Sequence, residues 1–412
     1  MAVGTVGISV GLSNALNEIG DFEAGADSEP TSVVRAYINS DVTAVEGDIV
    51  VQANASTTSD SLAKSIALTL GIGGAVAGSK TTSKIAQTVE AYLGENAKLQ
   101  AGNEVKVLAT STTASTADSR GGSAAGIKGV GNMFADARIK GATKAFVLGD
   151  INQSSNVTIQ ATGNSTATST TVAGTGGGVE GKAGASSNAE VAPTVAAYLE
   201  NGNIGTEGTP VSGDVLISAE HKGDAISKAL GVSVAGLGVE GVSNARSVLK
   251  PNLDVSIRGM SSIATSKKVT VQAGHDSITQ GAKASSNASG GTLGIARTGA
   301  ASQADASANV KTAVGRQVEI DAGSDIVTTA KATNQAIAEA TGVTVNGVGG
   351  GGTSTADSKA AGFTQTTMGA TITNGTNLTV TSHATNRAEA NASPAGGGIL
   401  DGRGAVSNAT LN

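Results

Sequence analysis

The chain reads as all-β: a right-handed parallel β-solenoid built from seven repeats of about 55 residues with Ala/Gly-rich long-strand wings. Three observations lead there. Two short apolar motifs recur in phase along the 412 residues. Val, Ile and Thr alternate with polar residues at period two, the pattern of a strand covered on one face. The bulky side chains of an ordinary core are scarce: Gly fills 58 positions, while Tyr supplies 3, Phe 4, and Trp and Cys none. Small side chains fill only a thin interior, where backbones approach closely.

The first motif is clearest as Val34-Arg35-Ala36-Tyr37-Ile38, Val89-Glu90-Ala91-Tyr92-Leu93 and Val195-Ala196-Ala197-Tyr198-Leu199. Degenerate copies are Lys144-Ala145-Phe146-Val147, Leu253-Asp254-Val255-Ser256-Ile257 and Val310-Lys311-Thr312-Ala313-Val314, with a weak seventh at Thr366-Thr367-Met368. The second motif follows by about a dozen residues, as in Asp48-Ile49-Val50-Val51-Gln52-Ala53 and Asn156-Val157-Thr158-Ile159-Gln160-Ala161. Its last residue falls at 53, 109, 161, 219, 273, 330 and 382, so the period is 52 to 58 residues. Turn residues such as Gly94-Glu95-Asn96 and Ala101-Gly102-Asn103 separate the motifs. Each repeat is therefore expected to open with three short strands.

The rest of each repeat alternates small residues around a Gly-rich centre, such as Gly174-Thr175-Gly176-Gly177-Gly178 or Gly349 to Gly352. This predicts a long strand, a reversal and a long return strand. Two such sheets face to face would enclose only Ala, Gly and Ser. One repeat cannot bury its apolar edge alone, so the repeats stack. Residues 1–32 read as the end of a preceding repeat with an acidic insertion between Asn17 and Pro30. Repeats follow at 33–87, 88–142, 143–193, 194–250, 251–308, 309–363 and 364–412, with a second turn insertion at 200–213. Three small coils of 18–19 residues per repeat are the alternative to one wide coil.

Val89 to Ala109 carries a resemblance. The order Val-x-Ala-Tyr-Leu-Gly, then Ala-x-Leu-x-Ala-Gly, then Val-x-Val-x-Ala resembles the repeats of large secreted filamentous adhesins, the leukotoxin-type, filamentous-haemagglutinin-like family. The likeness spans nearly the whole chain, although Ser256, Ala313 and a Thr replace the aromatic in repeats 5 to 7. It implies an exported, extracellular or cell-surface shaft with no catalytic residues and no cofactor. The secretion signal and anchor are then expected outside this chain.

Composition excludes other classes. A net charge of −6, with 15% of residues charged, gives no basic stripe for nucleic acid and no polybasic patch for anionic lipid. No apolar run reaches the length of a membrane span, so no membrane insertion is expected. Strand edges exposed at the ends of the stack predict self-association into filaments. A cell-surface or polysaccharide ligand is the alternative partner.

Few residues stand out as sites. Tyr37, Tyr92, Phe146 and Tyr198 recur once per repeat and predict a structural ladder in the interior or in a groove; an aromatic strip for carbohydrate is the competing reading. His221 and His275 occupy matching positions, with His383 offset by one; a solvated turn is expected, and a metal site is not. Asp48, Asp214 and Asp325 precede the second motif and read as turn formers rather than calcium ligands. No acids and bases cluster as a polysaccharide-cleaving β-helix would need. The expectation is no enzyme, no catalytic residue and no metal.

Overall fold

The computed structural model describes residues 2–22, 32–206 and 208–411, with side chains from Gly7 onward. The described residues are strand and turn, with no helix. Every strand-to-strand ladder is parallel, and partners lie one repeat apart. Ile49 pairs with Val105, Val105 with Val157, Val157 with Val215, Val215 with Val269, Val269 with Ile326, and Ile326 with Leu378. A separation of one repeat per rung makes one wide coil per repeat and excludes three small coils. The protein is a parallel β-solenoid.

Each coil has a body and a wing. A short strand such as Val33–Ile38 begins it, and a shorter one such as Val42–Ala44 follows. These shorter strands form their own seven-stranded sheet along the body. The third expected short strand is not separate. The second motif runs directly into the long outgoing wing strand, as in Glu104–Ala125 and Asn156–Gly177. The return strand likewise runs into the next copy of the first motif, as in Lys128–Val147. Nothing between Ala53 and Thr58 breaks the alternation, so the chain does not turn there.

The body core is aliphatic. Inward columns such as Leu99, Ile151, Ile204, Ile263 and Ile320 are fully buried, and they meet Val and Leu of the other two body sheets. The wing core is a second cluster built almost wholly of Ala. Serines sit between the alanines and bond across the two sheets. Ser83 Oγ donates to the backbone oxygen of Ser59 at 2.7 Å, and Ser187 Oγ to Ser169 Oγ at 2.8 Å. Where a hydroxyl reaches the opposite backbone the sheets are too close for large side chains. The predominance of Ala and Ser at the inward spacer positions follows from this geometry.

Two insertions differ from one another. Asn17, Glu18 and Ile19 belong to the strand Ala2–Ile19 and pair with Ser83, Lys84 and Ile85, so the first insertion starts later than expected. Its remainder, residues 23–31, lies outside the described residues. In the second, 200–213, Glu200 ends the strand Thr194–Glu200, and the described residues after it hold the short strand Asn203–Ile204, with left-handed backbone at Asn201 (φ 55°) and Gly205 (φ 68°).

Candidate functional site: an outward aromatic ladder and a buried histidine pair

The first motif places an aromatic residue at the same outward position in four successive coils. Tyr37, Tyr92, Phe146 and Tyr198 are register partners. Their rings stack with centroids 5.1, 4.7 and 4.8 Å apart and planes within 7° of parallel. Parallel rungs are spaced by about 4.7–4.9 Å, so the ladder spacing is the rung spacing. The row faces outward rather than into the core: Val34, Ala36 and Ile38 take the inward positions, and Tyr37 is 58% exposed. Ser256 ends the row, and the Arg258 guanidinium covers the last ring, 4.5 Å from the Tyr198 centroid.

Charges flank the ladder. Glu90 holds Arg35 at 2.8 Å and Lys144 at 3.3 Å, which joins three coils through one carboxylate. Glu200 holds Arg258 at 2.9 Å. Burial pushes the Tyr198 phenol up to about 12, with Arg258 opposing and the carboxylates of Glu200 and Glu90 adding to the rise. The phenol is therefore neutral across the physiological range.

The histidines lie elsewhere than expected. His221 and His275 are not on a solvated turn. They are register partners on the outgoing strands, buried at 1% and 2% exposure, at the neck where body meets wing. The reason is parity. Ala219 and Ala273 point inward, and the histidines follow two residues later on the same face. Glycine makes the room, since a Cβ on Gly223 would stand 2.6 Å from His221 Cε1. The rings stack at 5.2 Å, and the two Nδ1 atoms lie 3.2 Å apart, one donating to the other. Both Nε2 atoms are buried without a hydrogen-bond partner. Burial, and then the neighbouring His275, hold His221 well below its ordinary range. Burial lowers His275 to about 4, against the opposing pull of a hydrogen bond to the His221 backbone and of Asp276 and Asp224. Both rings are neutral at pH 7. His383 stands one column away, partnered with Lys331, and is exposed.

Against the pair lies a cavity of about 260 Å³ lined by Glu220, Lys222, Gln272, Gly274, Asp276 and Lys331. It exists because Gly274 stands between Glu220 and Lys331 in the outward column, and a Cβ there would meet nothing. Asp224 follows His221 by three residues on the same strand. Its buried carboxylate accepts from the Thr279 N–H and hydroxyl and from the N–H groups of Gln280 and Gly281, which fixes a five-residue loop, 277–281, inserted between two strands. The sequence reading missed Asp224, because alternation from Ala219 puts it on the outward face and its burial comes from the bonds to Thr279, Gln280 and Gly281. The aspartates that precede the second motif join turns of adjacent coils. Asp48 accepts from the Glu104 N–H at 3.2 Å, Asp214 from the Lys268 N–H at 3.2 Å, and Asp325 from the Asn377 amide at 2.8 Å. Among the described residues, no three His, Cys, Asp or Glu side chains are grouped so as to hold a metal ion.

Comparison with protein families, with curated proteins and with solved structures finds no match for this chain.

Proposed function

We propose that the chain is a load-bearing segment of an exported, cell-surface or extracellular shaft of the filamentous-adhesin type, acting mechanically and not as an enzyme. One observation carries the reading: the second-motif strands stack in parallel, coil upon coil, from Ile49 to Leu378, with no break in their order. Force along the stack is then shared by every strand of a rung. The stacked rings and the Arg35–Glu90–Lys144 row add links between coils at the outer face. Self-association end to end belongs to the same proposal, since a parallel rung offers the next one the same edge pattern of N–H and C=O groups.

Single-molecule pulling on the two ends of the full chain tests it. Stepwise extension, each step near 190 Å, is the expected release of one coil at about 3.5 Å per residue. A single all-or-none rupture at low force would overturn it. A second reading rests on the exposed Tyr37 ring with Arg35 beside it, which is the chemistry of a carbohydrate-binding strip. Binding on a glycan array that is lost in Tyr37→Ala and retained in Ile217→Val would favour that reading.

A further inference from the structure

The chain has no Cys and no Trp, so it lacks the thiols and indoles that would draw an oxidising radical away from a phenol. Its three Tyr all lie in the outward row of the first motif, and two of them are neighbours. Tyr37 and Tyr92 are 55 residues apart in the chain and directly paired in register. Their ring centroids lie 5.1 Å apart, with planes 7° from parallel. Tyr37 is 58% exposed, and Tyr92 is partly exposed. Tyr198 is separated from them by Phe146, whose ring stacks on both sides and carries no hydroxyl. The row therefore holds one pair of adjacent phenols and one phenol apart.

We propose that Tyr37 and Tyr92 form an oxidative cross-linking site, at which hydrogen peroxide and a peroxidase-type one-electron oxidant join them as dityrosine. Each phenol gives up one electron and its hydroxyl proton. The two radicals join by a carbon–carbon bond between ring positions ortho to the oxygens. The protons on those two carbons then pass to the oxygens through water, which restores both phenols. The two electrons and the two released protons convert one hydrogen peroxide to two waters, so the protein loses two hydrogens in all.

Geometry favours this pair over any other. The parallel ladder holds the two residues one rung apart, about 4.8 Å, so the radicals meet without a search and coupling within the chain outruns coupling between chains. Bond formation needs the rings to close from stacking distance, and the end of the row allows it. Among the described residues no ring stacks on the other face of Tyr37, whereas Tyr92 is backed by Phe146 at 4.7 Å. The product is a covalent bridge between repeats 1 and 2. Its mechanical use, which is to stop the residues between Tyr37 and Tyr92 from extending, rests on the shaft reading; the coupling itself does not.

Treatment of the full chain with hydrogen peroxide and a haem peroxidase tests the site. The expected product is a monomer lighter by two hydrogens, with dityrosine fluorescence, in which a digest finds the peptides of Tyr37 and Tyr92 joined. Tyr37→Phe and Tyr92→Phe should each lower the yield at least ~10-fold, and Tyr198→Phe should leave it unchanged. Phe146→Tyr gives Tyr198 a phenol neighbour and should add a second bridge. Met260, 75% exposed, gains oxygen under the same treatment, so its oxidation is not mistaken for a loss of hydrogen and shows that the oxidant has acted. Cross-linked dimers in place of the lighter monomer, undiminished fluorescence from Tyr92→Phe, or an unmodified Tyr37 once Met260 is oxidised would each overturn the proposal. In the pulling experiment the bridged chain should lack one extension step. Chains that bridge but never extend in steps would support this site and count against the shaft.

Discussion

Body and wing share one backbone ladder but are held together by different side-chain physics. In the body, three sheets enclose columns of Val, Ile and Leu, and stability comes from apolar burial. In the wing, two sheets approach so closely that Ala and Ser fill the gap, and hydroxyls bridge to the facing strand. The lesson is that a solenoid extends a coil sideways at little cost in core volume, provided that the extension is flat. Body and wing should therefore respond in opposite ways to a change in side-chain size.

The sharpest way to break the comparison is truncation in the body. Ile217 is fully buried, so Ile217→Ala should destabilise the chain by about 2–5 kcal/mol, read as a lower midpoint in urea. A shift as small as that of a surface mutation would mean that the body core is not close-packed.

Acidification probes the neck between the regions. His275 titrates at about 4 folded, against 6.5 unfolded, so the unfolded chain takes up the proton first as pH falls. Stability should be full above pH 6.5 and fall between 6.5 and 4, by on the order of 3 kcal/mol for this group. Above pH 5, before carboxylates contribute, the slope should vanish in a His221→Ala/His275→Ala variant. A slope that persists there would refute the buried, neutral pair.

Enlargement in the wing comes next. Ala135 is buried between the sheets, so Ala135→Leu should cost about 1–3 kcal/mol through overpacking, although it adds apolar surface. Stabilisation, measured by the same denaturation, would show that the wing is looser than described. The smallest effect is expected at Ser115, whose Oγ bonds both the backbone oxygen and the hydroxyl of Ser83 at 2.9 Å; Ser115→Ala should lose about 0.5–1.5 kcal/mol.

Much of this was legible in the sequence. The second-motif positions 53, 109, 161, 219, 273, 330 and 382 form one inward column, because a parallel stack with one coil per repeat turns a sequence period into a register. The small-residue spacer was legible as a thin wing because size is read directly from composition. The histidines were misplaced by weighing residue type over position: counting in twos from Ala219 puts His221 inside. The aromatic row was legible as recurrent, but its outward face required the parity of Val34, Ala36 and Ile38.

The central claim is one wide coil per repeat, and a single distance tests it. Val50 and Thr379 begin and end one outward column, with five intervening residues, Lys106, Thr158, Leu216, Thr270 and Val327. Spin labels on Val50→Cys and Thr379→Cys, in a chain with no native cysteine, report their separation by pulsed dipolar electron resonance. Six rungs at about 4.8 Å give a narrow distribution near 29 Å. Three small coils per repeat would place the labels roughly 85 Å apart, and a long or broad distribution would contradict the account.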